Sequence, residues 1–92
     1  MHISLPKLTF TAQIFREGRQ YVSFNPELRV ASCGSSQEKA RDNLKDAIRG
    51  FLFSAFKKGT LASILEEAGF VRKKNSWCDP QFVAFDRLTV AA

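Results

Sequence analysis

Few residues in this sequence are of types that could carry covalent or metal chemistry. One histidine, His2, and two cysteines, Cys33 and Cys78, stand in 92 residues. A zinc site needs clustered His and Cys ligands, and the sequence has neither a CxxC pair nor a second imidazole. A Ser or Cys nucleophile needs a positioned base, normally His. Cys33, with no such base near it, reads as a small packed residue, the usual habit of a free cysteine. Two cysteines are too few for a disulfide scaffold, so reduced thiols and a cytoplasmic location are expected. Neither a Walker A loop nor a GxGxxG fingerprint occurs. No metal and no cofactor are expected, and no catalytic residue is assigned.

The charged residues offer a different chemistry. The net charge is +5, from 14 Lys and Arg against 9 Asp and Glu. Lys39, Arg41, Lys45 and Arg49 alternate with Glu38, Asp42 and Asp46, the pattern of a mixed, solvated surface. The purely basic spots are Lys57 with Lys58, and Arg72, Lys73 and Lys74. These five are the candidate phosphate contacts, and a small nucleic-acid-binding protein, or a homo-oligomeric domain of unknown role, is an alternative reading. No apolar run approaches the ~20 residues that span a bilayer, and the stretch before Leu8 lacks the apolar core of a signal peptide.

A chain of this length holds one domain and one core. Nine Phe make it rich in aromatics, so either the core is packed with Phe or some Phe face a partner. Residues 8–15 alternate, with Leu8, Phe10, Ala12 and Ile14 against Thr9, Thr11 and Gln13, the period of a half-buried strand. Residues 20–24 resume a β-rich pattern, which predicts a hairpin. A three-residue loop at Arg16, Glu17 and Gly18 sets Ala12 opposite Val22 and Phe10 opposite Phe24 on one apolar face. The reverse face then carries Thr11, Gln13, Phe15, Tyr21 and Ser23. Those aromatics either pack against loops of the same chain or meet a partner protein.

A third strand is expected over residues 28–33. Gly34, Ser35 and Ser36 then lead into a helix over 37–58, with Ser35 or Ser36 as N-cap and Gly59 as its stop. Ala40, Leu44, Ala47, Ile48, Phe51, Leu52 and Ala55 mark its apolar stripe. A short second helix is predicted over 61–68. Residues 81–90 read as a last strand, apolar on both faces and so central or covered on both sides. The fold class is α/β of the α+β kind, in the order β-β-β-α-(α)-β: an antiparallel meander with one long helix on one sheet face. A meander, helix and strand in that order open the ribonuclease H-like fold. A nuclease of that kind needs several carboxylates converging on two metals, and the first strand carries none.

The run Tyr21, Val22, Ser23, Phe24, Asn25, Pro26, Glu27, Leu28 resembles the HicB antitoxin domain. So do Val30 to Ser36 taken together, Glu38, Lys39 and Ala40, and the run Asn43, Leu44, Lys45, Asp46, Ala47, Ile48. That family shows a Tyr-Val strand, a Pro-x-Leu turn, a Gly-x-Ser/Thr bend, and a helix opening Glu-Glu-Ala and continuing Asn-Leu-x-x-Ala. The likeness is strongest over residues 10–53 of a single domain spanning 1–92. It implies a degenerate ribonuclease H-like fold without nuclease activity. It also implies a bacterial antitoxin that neutralises a HicA-type messenger-RNA ribonuclease by steric occlusion, and that dimerises or assembles further. The chain beyond Gly69 is too short and too strand-like for a helix-turn-helix, so operator binding is not expected. An antitoxin facing a basic toxin would be acidic; the local acids here are Glu27, Glu66 and Glu67. The contact residues on this reading are Phe15, Tyr21, Pro26 and Glu27, with Arg29 at the rim.

Overall fold

The computed structural model describes residues 7–91; His2 lies outside them. Its architecture is α+β, in the order β1 (Gln13–Glu17), β2 (Gln20–Asn25), β3 (Val30–Gly34), α1 (Gln37–Lys58), α2 (Leu61–Glu67), β4 (Val71–Lys73) and β5 (Ser76–Cys78). The first three strands form an antiparallel sheet with β2 in the centre, and β4 pairs with β5 in a separate two-stranded ribbon.

The expected helix is present with its bounds. Ser36 is the N-cap, its hydroxyl accepting from the Lys39 N–H at 3.1 Å, while Gly59 closes the helix in the left-handed region at φ 75°. The apolar stripe does what its spacing requires: Ala40, Leu44, Ile48, Leu52 and Ala55 are all buried. Leu44, Ile48 and Leu52 of that stripe form the core with Leu65 and Phe70, and Leu8, Phe10, Leu28, Val30, Leu61, Ala68 and Trp77 pack around it.

The first hairpin differs from the sequence expectation. Its loop has two residues, Gly18 and Arg19, and not three. Glu17 pairs with Gln20, Phe15 with Val22 and Gln13 with Phe24. Gly18 alone of the two takes a positive φ, 64°, the pattern of a type II′ turn. The new register turns β2 over relative to β1. Ile14, Tyr21, Ser23, Asn25 and Ser32 now share the helix side, whereas Phe15, Val22, Phe24 and Cys33 lie on the other.

The reason is how closely α1 approaches the sheet. Ser23 is fully buried and donates its hydroxyl hydrogen to the Ala40 carbonyl at 2.7 Å. A Cβ on Gly34 would lie 2.5 Å from the Ala40 nitrogen. Side chains must therefore be small at Ser23 and Gly34, and the bulky apolar residues of β2, Val22 and Phe24, lie on the far face. An argument that maximises apolar pairing on one face cannot see that constraint.

Three further expectations shift. Residues 8–12 do not join the ladder; Phe10 instead packs against Phe70, the rings tilted by 51° with centroids 5.2 Å apart. The basic triplet belongs to a hairpin, β4 and β5, with Lys74 at φ 53° in its turn. Residues 81–90 form no strand and are exposed throughout. Their apolar residues need cover on both sides, and no described strand is hydrogen-bonded to them.

Candidate functional site

The sheet offers one face with no helix on it. Across that face run two rows set by the strand register: Phe15, Val22 and Cys33, then Gln13, Phe24 and Ala31. Phe15 is 48% exposed, Cys33 and Ala31 are exposed, and Val22 and Phe24 are half-buried. Cys33 is thus not the packed residue its type suggested. The face is largely apolar and is bordered at the β1 edge by Phe82 and Phe85, with a cavity of about 340 Å³ between that edge and the later segment. Such a surface has apolar area to bury.

Of the nine Phe, one, Phe70, is buried, and five (Phe15, Phe53, Phe56, Phe82 and Phe85) are exposed. The core is therefore not packed mainly with Phe. The aromatic excess is mostly surface.

The five expected contact residues do not form one patch. Phe15 is on the open face, but Tyr21 points to the helix side, beside Arg16 and Gly34 in register. Pro26, Glu27 and Arg29 sit together in the β2–β3 turn, with Pro26 and Arg29 exposed and Arg29 at φ 58°. Glu27 is engaged internally. One carboxylate oxygen accepts from the Thr11 N–H at 2.7 Å and from the Asn25 side-chain amide at 2.6 Å.

Asn25, fully buried, completes the clasp by donating to the Thr11 carbonyl at 2.8 Å and accepting from the Leu28 N–H at 2.8 Å. The pair ties residue 11 to the turn, so Glu27 holds the scaffold as well as edging a cleft of about 350 Å³ with Leu28, Arg29, Phe51, Ile64 and Glu67. Sequence reasoning missed Val22 and Phe24 as face residues because it placed them on the wrong side of the sheet, and Cys33 because it read the thiol as packed.

The basic residues occupy two elements. Lys57 and Lys58 lie in the last turn of α1, where they suit its dipole, and the Lys57 ammonium sits 5.5 Å from the Phe53 ring centre. Arg72, Lys73 and Lys74 line the β4–β5 ribbon, all exposed, with the Arg72 guanidinium 5.9 Å from the centre of the Trp77 ring. Among the described residues no three His, Cys, Asp or Glu side chains gather as metal ligands. No described helix is long and apolar enough to cross a membrane.

The chain matches no protein-family model, no curated protein and no solved structure.

Proposed function

We propose that this protein is a HicB-like antitoxin, or an orphan relative, that works in the bacterial cytoplasm by protein–protein binding and not by catalysis. Its target on this reading is a HicA-type messenger-RNA ribonuclease, and its action is to cover the catalytic surface of that toxin from a degenerate ribonuclease H-like scaffold. The sequence likeness over residues 10–53 suggests the partner. The observation that supports the mode of action is the open sheet face, whose rows through Phe15, Val22 and Phe24 present apolar side chains that the chain's own helices leave uncovered.

Co-expression with a HicA-type ribonuclease tests it. The wild-type chain is expected to restore growth and to co-purify with the toxin, and Phe15→Asp to lose both while keeping its helical circular dichroism. Absence of rescue and co-purification by the wild type would overturn the reading. So would divalent-metal-dependent RNA cleavage by the purified chain that one carboxylate substitution abolishes.

A second reading rests on the ribbon. A two-stranded ribbon is narrow enough to enter a nucleic-acid major groove, and this one carries Arg72, Lys73 and Lys74 on exposed positions. Binding through these residues, with Lys57 and Lys58, would weaken steeply as salt rises. A mobility-shift titration at low and moderate salt decides it; no shift at low salt removes this function.

A further inference from the structure

The cavity at the β1 edge has two walls of different origin. Residues 11–15 line one, and Phe82, Phe85 and Arg87 line the other. With Phe15, three phenyl rings and one guanidinium share a space of about 340 Å³, which falls within the about 300–1,000 Å³ of small-ligand sites. Phe82 and Phe85 are 64% and 54% exposed, so both rings have area left to bury on a guest. Among the described residues of the lining, Arg87 alone is charged. Asp86, its neighbour in sequence, is not part of the lining, so the cavity carries a cation with no acid beside it.

The walls stand near one another without joining. The Asp79 carboxylate accepts from the Thr9 N–H at 3.0 Å and fixes where the later segment starts. From there the segment passes alongside residues 11–15. Among the described residues, no backbone group of residues 81–90 is hydrogen-bonded to the backbone elsewhere. Two extended stretches in direct contact would pair those groups; here the cavity lies between them. The ladder also leaves a donor on its side. In a two-residue hairpin the closing pair, Glu17 and Gln20, exchanges hydrogen bonds, and so does every second pair after it. Phe15 and Gln13 therefore bond to β2, while the N–H and carbonyl of Ile14 point to the outer edge of β1, where the cavity opens.

We propose that this cavity is a binding site for a small, flat aromatic carboxylate. The three phenyl rings take the ring of the ligand in offset or edge-to-face contact. The Arg87 guanidinium pairs with its carboxylate, a planar fork matched to two oxygens, and the Ile14 N–H supplies a further donor. A neutral ligand of the same shape leaves the guanidinium without its partner, and a flexible aliphatic acid offers the rings no π face. A second groove, of about 350 Å³, lies between residues 8–12 and α1 and carries Arg41 and Lys45. Its single aromatic ring, Phe10, is already packed against Phe70, so its cations come without free rings.

The site goes beyond the antitoxin reading, sharing only Phe15 with it, and is tested on the purified full chain without any toxin. The probe is naphthylacetate, two fused rings with one carboxylate, titrated into isotope-labelled protein and followed by its amide resonances. Saturable shifts confined to residues 11–15 and 82–87 are expected, with a Kd on the order of 0.1 mM. Arg87→Gln and Phe85→Ala are each expected to weaken binding about tenfold with unchanged circular dichroism, since both side chains are exposed. Arg41→Gln removes the same charge from the other groove and is expected to leave the Kd unchanged. Naphthylacetamide, which is neutral, and decanoate, which has no ring, are expected to bind roughly tenfold more weakly than naphthylacetate. Absence of a saturable shift up to about 5 mM, or equal binding of the amide or of decanoate, would overturn the proposal. So would binding that survives both Arg87→Gln and Phe85→Ala, or shifts centred on residues 41–48 that Arg41→Gln abolishes.

Discussion

Two residues carry more of this fold than their size suggests. Gly34 stands where the end of β3 meets the first turn of α1, and a methyl group there would fall 2.5 Å from the Ala40 nitrogen and 2.8 Å from the Lys39 carbonyl carbon. Both neighbours are backbone and cannot step aside. Gly34→Ala is expected to destabilise by about 1–3 kcal/mol, the usual cost of overpacking, read as a lower urea midpoint with an unchanged slope. Asn25 is the second. Its amide holds the Thr11 carbonyl and the Glu27 carboxylate while its oxygen takes the Leu28 N–H. Asn25→Ala strands those groups at a cost of about 1–3 kcal/mol. Asn25→Asp is expected to fare no better, because it turns a donor into an acceptor facing another carboxylate. A denaturation series on the two variants checks both statements.

At the scale of elements, the N-cap that the sequence left between Ser35 and Ser36 belongs to Ser36. Ser36→Ala is expected to lose about 1 kcal/mol and Ser35→Ala far less, measured by thermal unfolding of the two variants side by side. The helix was legible because its information is local: steps of three and four, a hydroxyl before it, a glycine after it. The hairpin was legible as a hairpin but not in register. Its register is set by α1 pressing on Ser23 and Gly34, a contact between residues far apart in sequence. That one shift explains the partial view of the site. Phe15 was placed on the uncovered face, as observed, whereas Val22 and Phe24 were assigned to the core and Tyr21 to the surface. Residues 81–90 show the opposite failure. Their pattern is that of a strand covered on both sides, and a pattern does not say which molecule supplies the cover.

For the whole molecule, extents of 45 × 30 × 19 Å describe an elongated outline. Trp77 has a further consequence. It is the sole tryptophan, placed on β5, half-buried against the core and roofed by Arg72. Intrinsic tryptophan fluorescence of the native protein therefore reports from the β4–β5 ribbon alone, without a label. A red shift in emission that precedes the loss of helix would reveal the ribbon peeling from an otherwise intact body.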